Sequence, residues 1–272
     1  MPLALTPQLF AIFSTLVEEE CGLHYGVSDR ELFEAKLVTH AAELGYDSLL
    51  DYFYRLRYDD PDRQQRRAFV EALVVHETYF FRELEALTHV VEHYVAPAVA
   101  ARGAARVWSA ACSTGEEPLT LAMLLDRRGL LDRVEIVATD ISEAAIAKAR
   151  SGIHGRRSLR DGHPVELAAR YLEAGPRGVR VAPAIHAAVD FSVANLFDAH
   201  GVEALGRFDA IICRNVLIYF RDARIVQLVE MLRRRLMPGG AIAVGVSESL
   251  MRFGTGLVCE ERSGSFFYRS AS

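Results

Sequence analysis

RVWSAACSTGEEP, residues 106–118, decides how the rest of the chain is read. An apolar run ends in small residues, and Pro118 then opens a helical segment. Strand, small-residue turn and helix in that order form the entry to a nucleotide crevice in an open α/β sheet. The GxGxxG fingerprint, which lets backbone approach a pyrophosphate at a helix N-terminus, is absent. The turn delivers two carboxylates instead, Glu116 and Glu117. Anions are stable at a helix N-terminus, so both could be first-turn charges and nothing more. In a crevice, the same pair would repel a pyrophosphate and attract a cation.

Downstream, apolar runs at 135–139, 191–193, 210–213 and 241–246 alternate with helical stretches. That alternation predicts a parallel sheet with crossover helices. The last crossover reads as a helix over 223–236, with Ile225, Leu228, Val229, Leu232 and Leu236 on the sheet side and Pro238-Gly239-Gly240 as its stop. Runs at 257–260 and 265–268, joined through Arg262-Ser263-Gly264, predict a terminal hairpin. Residues 152–190 interrupt the pattern with a helix and a small antiparallel insert, placed at about 171–190 and turning at Gly175-Pro176-Arg177-Gly178. The fold class is α/β, a Rossmann-like sheet over 105–272.

The ends of these runs carry the polar residues. Asp140 lies 25 residues after Gly115, near the spacing at which an acidic side chain accepts from ribose hydroxyls. Ser142 is placed to cap the next helix. Asn195-Leu196-Phe197 follows the third run, where an amide can bond an adenine edge and apolar neighbours can cover its face. An ordinary Asn turn is the competing reading. Arg214 and Asn215 close the apolar run at 208–213, at the strand end where open sheets bind ligands. An arginine in so apolar a setting calls for a partner. A guest that is cationic and lacks phosphate fits the whole set, and S-adenosylmethionine, with its sulfonium and ammonium, is such a guest.

Upstream, residues 1–75 read as an all-helical domain. Thr6-Pro7 suits a helix start, and Leu9, Ile12, Phe13, Leu16 and Val17 share one helical face. Pro61 is read as opening a fourth helix. Residues 76–104 read as a linker with a helix over 84–100 that Pro97 and Gly103 end. Within ETYFFRE (77–83), Thr78 and Arg82 are placed at i, i+4 on a helical face.

Charge and composition narrow the function. The chain of 272 residues carries a net charge of −5. Residues 1–76 hold 7 Lys/Arg against 13 Asp/Glu. Phosphate-driven nucleic-acid binding is not expected from that balance. The four cysteines show no CxxC spacing, so no zinc site is expected, and His89/His93 is read as a surface pair. No apolar run approaches the ~18 residues of a membrane span, and the opening residues lack a basic leader. A cytoplasmic monomer is expected.

Five segments together resemble the chemoreceptor glutamate methyltransferase family, CheR: ETYFFRE (77–83), RVWSAACSTGEEP (106–118), ATDIS (138–142), ANLF (194–197) and FDAIICRNVLIYF (208–220). The resemblance implies a class I S-adenosylmethionine-dependent methyltransferase fold. It implies an enzyme that forms 5-O-methyl esters on glutamates of chemoreceptor cytoplasmic helices and releases S-adenosylhomocysteine. It implies cofactor contacts at Thr78, Arg82, Glu117, Asp140, Asn195, Leu196, Arg214 and Asn215. Tyr219 is similar to the tyrosine that stands close to the transferred methyl, and Arg214 and Tyr219 are the candidates for orienting the reacting groups. Three positions depart from the family pattern. His76 stands where many relatives have Asn. The second helix offers only Lys36 and His40 as basic groups toward an acidic receptor bundle. The 173–178 turn is short, which implies that no receptor C-terminal pentapeptide is needed as a tether.

Rival classes fare worse. A nucleic-acid methyltransferase would carry an Asn-Pro-Pro-Tyr type loop where this chain has Arg214-Asn215-Val216. A nicotinamide dehydrogenase lacks its glycine fingerprint here. A methyltransferase-fold regulator that binds the cofactor without transferring methyl is the alternative that the residues leave open.

Overall fold

The computed structural model describes residues 3–176 and 178–270; Arg177 of the expected insert turn and the first two residues of the expected leaderless start lie outside them. The described residues form two compact units. The first runs up to Val75 and includes Tyr219–Arg224; the second comprises His76–Ile218 and the described residues from Ile225 onward.

The first unit is helical: α1 (Pro7–Cys21), α2 (Arg30–Glu43), α3 (Leu49–Tyr58) and α4 (Gln64–Leu73). The Thr6 hydroxyl accepts from Leu9 N–H at 3.2 Å, and Gly22, at φ 80°, closes α1. Pro61 does not open α4. The chain turns at 61–63, and the Asp60 carboxylate accepts from Gln65 and Arg66 N–H at 3.1 and 2.8 Å, capping the helix from outside. Phe13, Phe33, Leu37, Tyr52, Leu56, Phe69 and Leu73 fill the core. Lys36 is used internally: its ammonium donates to the Leu73 and Val74 carbonyls at 2.8 and 2.9 Å, and burial lowers its pKa. His40 packs edge-on against Tyr52, and burial lowers its pKa too. The Tyr219 carbonyl accepts from His24 N–H at 2.8 Å, and Phe220 bridges to Leu23.

In the second unit α5 (Leu84–Val90) passes through a π-turn, Val91–Val95, into α6 (Ala96–Arg102). Pro97 therefore sits in the first turn of a new helix rather than ending the old one. The wide π-turn accommodates a residue with no N–H to donate. Gly103, at φ 83°, makes the true stop.

There follow β1 (Ala105–Ala110), α7 (Glu116–Arg127), β2 (Val134–Asp140), α8 (Glu143–Arg150), β3 (Ile153–His154), α9 (Val165–Tyr171), β4 (Leu172–Gly175), β5 (Gly178–Val181), α10 (Pro183–Ala187), β6 (Val189–Val193), α11 (Ala199–Ala204), β7 (Phe208–Ile212), α12 (Asp222–Arg234), β8 (Leu236–Ala243), β9 (Leu257–Arg262) and β10 (Ser265–Ser270). The main sheet has the order β6-β2-β1-β7-β8-β10-β9. Its first five strands are parallel; β10 lies antiparallel between β8 and β9. The chain leaves β1 toward β2 on one side and β7 fills the other side, so the strand order reverses at β1/β7. That is where open sheets form a crevice.

Two boundaries differ from the sequence reading. Strand β8 starts at Leu236, which pairs with Phe208, so this leucine belongs to the sheet and not to the helix. The Pro-Gly-Gly segment is absorbed as an irregularity in the β7–β8 register, with Gly239 at φ 78°. The insert is three-stranded, β3-β5-β4. Its third strand, two residues long, is too short for any alternation to reveal.

Candidate active site

Backbone geometry shapes the β1–α7 turn. Ala111, Ser113 and Gly115 all have positive φ, at 62°, 50° and 93°. A Cβ added at Gly115 would stand 2.9 Å from Ala149 Cβ and from the Phe191 ring. One glycine here thus serves the close helix–strand packing that a longer fingerprint divides among several. Asp140, at the end of β2 and 8% exposed, spans the turn: its carboxylate accepts from Ser113 N–H at 2.7 Å and Ser142 N–H at 3.0 Å. The Ser142 hydroxyl caps α8 through Ala145 N–H at 2.8 Å.

The two glutamates part company. Glu117 accepts from the Ser109 hydroxyl at 2.7 Å and pairs with Arg214 Nη1 at 3.3 Å. Burial pushes its carboxyl above the usual range, against the pull of Arg214 and of the Ser109 hydroxyl. Glu116 turns into the fold, where its Oε1 lies 2.9 Å from His154 Nδ1 and its Oε2 accepts from the Thr114 hydroxyl at 2.6 Å. Burial would raise the Glu116 pKa, but hydrogen bonds from His154, Thr114 and Ser158 outweigh it and leave the carboxyl below the usual range. Only Glu117 therefore belongs to the polar group at the strand ends.

Arg214, 5% exposed, is the hub of that group. Its Nη2 lies 3.0 Å from Glu83 Oε2 and donates to the Arg82 carbonyl at 3.0 Å. The partner that an arginine in an apolar run demands is thus a pair of carboxylates, Glu83 and Glu117. Asn215, at φ 58°, donates its amide to Glu83 Oε1 at 3.3 Å. Its backbone N–H donates to Glu248 Oε2 at 2.7 Å.

The 77–83 segment is not helical, which overturns the i, i+4 face proposed for Thr78 and Arg82. Positive φ at Phe81 (66°) and Glu83 (47°) breaks any helix before α5. Instead Phe80 N–H donates to the Ser158 carbonyl at 2.8 Å and Phe81 N–H to the Thr120 hydroxyl at 3.1 Å. The loop is thereby fastened to α7 and to the insert. Arg82 donates to the Glu77 carbonyl at 3.1 Å and lies over the Tyr79 ring. Thr78 is half-buried on this loop and His76 is exposed.

Asn195 closes its own turn, accepting from Phe197 N–H at 2.9 Å. Leu196 is buried and, with Phe197, Val202, Leu228 and Met231, lines a cavity of about 280 Å³ beside α11 and α12. The structure thus gathers Arg82, Glu117, Arg214 and Asn215 directly, with Asp140 on the adjoining turn. It places Thr78 on the fastened loop and Asn195 and Leu196 beyond β6. Tyr219 belongs to the helical unit. Glu83 and Glu248 escaped sequence reading. The only signal for Glu248 was an acidic residue just past an apolar strand.

Two buried polar atoms here have no protein partner, Ser113 Oγ and Arg214 Nε. The group holds two guanidiniums, Arg82 and Arg214, against three carboxylates, Glu83, Glu117 and, on the adjoining turn, Asp140. Orphaned polar atoms beside an excess of carboxylate suit a polar, cationic, phosphate-free nucleoside, and they suit a pyrophosphate badly. Among the described residues His89, Glu92 and His93 bring three further ligand atoms within 4.8 Å of one another, with Glu92 held in an ion pair by Arg128.

A five-strand parallel sheet extended by an antiparallel β10, with this cluster at the β1/β7 crevice, defines a class I S-adenosylmethionine-dependent methyltransferase. The family model "CheR methyltransferase, SAM binding domain" matches residues 76–261, more than half of the chain. The chain belongs to the CheR methyltransferase family. It is 32% identical over 254 residues to a chemotaxis protein methyltransferase of Vibrio parahaemolyticus, covering 91% of each. It is 32% identical to chemotaxis protein methyltransferase 1 of Pseudomonas aeruginosa, covering 89% of this chain and 90% of that one. A chemotaxis protein methyltransferase of Klebsiella aerogenes is 33% identical over 91% of this chain and 85% of its own. No described helix is long and apolar enough to cross a membrane.

Proposed function

We propose that this chain esterifies glutamate side chains on the cytoplasmic helices of chemoreceptors, as a cytoplasmic monomer. The similarity to chemotaxis protein methyltransferases along nine-tenths of both chains carries this reading. When bound, S-adenosylmethionine would supply an electrophilic sulfonium methyl, with the neutral thioether S-adenosylhomocysteine as the leaving group. The acceptor carboxylate, with an ordinary pKa near ~4.3, is already anionic at pH 7. It contributes the attacking oxygen pair, so no base is required, and none of the site residues has to move a proton.

The work of the chain is positioning, which can supply about 7–11 kcal/mol. In this proposal Glu117 and Asp140 hold polar groups of the cofactor. Asn195 and Leu196 receive its base, and Thr78, Arg82 and Asn215 complete the contacts. Arg214 orients the reacting groups from within its carboxylate pair, with Nε as its unpartnered donor. Tyr219 is, as the resemblance implies, the second candidate for orienting the reacting groups. The short 173–178 turn supports the expectation that no receptor tether is captured there.

The test is transfer of radiolabelled methyl from S-adenosylmethionine to receptor cytoplasmic fragments, released as methanol by mild base. Label that stays bound through base treatment refutes ester formation. Cofactor binding with no transfer to any fragment makes the chain a binding regulator instead.

A further inference from the structure

We infer that Glu248 is the positioning residue that fixes the strand-end loop carrying Arg214 and Asn215, and through it the cofactor affinity of the site. The inference rests on the methyl-transfer reading above and adds a residue that makes no proposed contact with cofactor or acceptor. Glu248 is 4% exposed. Among the described residues its carboxylate is spent on backbone N–H groups. Its Oε2 accepts from Asn215 N–H at 2.7 Å and Gly245 N–H at 2.8 Å. Its Oε1 accepts from Leu217 N–H at 2.8 Å and Ile218 N–H at 3.3 Å.

One buried anion thus satisfies donors from two loops, those following β7 and β8. The arrangement accounts for local features on both. Asn215 sits in the left-handed region at φ 58°, a conformation that needs outside support. A Cβ at Gly245 would stand 2.8 Å from Glu248 Oε2 and 2.7 Å from Asn215 Nδ2, so a larger residue there would have to displace these side-chain ends. The Glu248 N–H donates back to the Gly245 carbonyl at 2.8 Å, closing the turn that aims the side chain. A carboxylate is the side chain that can accept on both oxygens; an amide presents a donor on one side to N–H groups that are donors themselves.

The test compares wild type with Glu248→Gln, which leaves the Asn215 side chain untouched and carries the affinity reading, and with Gly245→Ala, whose Cβ would press on both the carboxylate and the Asn215 amide. Amide hydrogen exchange is read at Asn215, Leu217 and Ile218, and calorimetry reads S-adenosylhomocysteine binding. Both variants should accelerate exchange at those amides while leaving β2 amides protected, and should weaken binding by at least about tenfold. Protected β2 amides show that the unit is folded, so loss of binding then reports the loop. Accelerated exchange with unchanged affinity overturns the inference, and so does unchanged exchange. Wild type that fails to bind S-adenosylhomocysteine overturns the functional reading itself, which separates the two failures.

Discussion

Replacing Gly115 with alanine tests whether one glycine does the packing work of the β1–α7 turn. Two costs add. The residue sits at φ 93°, and a left-handed conformation costs an L-residue roughly 1–2 kcal/mol. The new Cβ would meet Ala149 Cβ and the Phe191 ring at 2.9 Å, and neither is the far end of a flexible chain. Both are buried, on α8 and β6. Overpacking of that kind costs about 1–3 kcal/mol. The α/β unit should therefore lose about 2–5 kcal/mol. Trp108 makes the assay specific. It is the chain's single tryptophan, fully buried on β1, with its indole N–H donating to the Thr139 hydroxyl at 2.9 Å. Its fluorescence during urea unfolding reports the α/β unit without averaging over the helical one, which matters in a chain of two units. A Trp108 transition displaced by less than about 0.5 kcal/mol refutes the reasoning, because surface-like tolerance would mean that the turn can relax.

Arg214→Ala should cost the same unit about 3–5 kcal/mol, since Glu83 and Glu117 would be left facing each other without their cation. Arg214→Lys should recover little of it, because an ammonium cannot serve both carboxylates and the Arg82 carbonyl from one planar group; full recovery by lysine contradicts the hub geometry. Asp140→Ala removes the acceptor of Ser113 and Ser142 N–H and should weaken S-adenosylhomocysteine binding by about 1–3 kcal/mol in calorimetry; unchanged affinity counts against the ribose assignment. Burial raises the folded-state pKa of Glu117 above its unfolded value. The folded state then holds this proton more tightly, so stability falls as pH rises from the unfolded value through the raised one. Glu117→Gln should flatten that part of the stability–pH curve, and a curve unchanged from wild type would show that Glu117 does not titrate there. Isothermal calorimetry with a receptor C-terminal pentapeptide should show no binding; measurable heat would contradict tether independence.

Much of the sheet was legible because buried parallel strands read as apolar runs and small-residue turns mark their carboxyl ends. Arg214 stood out for the same reason, as a charge where burial was certain. Glu248 and Glu83 did not stand out. Glu248 binds backbone N–H groups up to 33 positions away, and a backbone donor leaves no trace in residue type. The 77–83 loop misled because its aromatic spacing mimics a helix. The conformation was set by bonds to Thr120 and Ser158, far along the chain.

The residue pattern by itself determined the alternation of strands and helices and the small-residue turn that opens a crevice at 111–118, since both follow from local periodicity and composition; the strand order that reverses beside β1 is a matter of tertiary pairing. Only the tertiary structure decided that Glu116 turns inward to His154 while Glu117 meets Arg214, and that Glu248 clamps two loops. Neighbouring glutamates on a helix point in different directions. Which of them finds a cation depends on what the fold packs against each side.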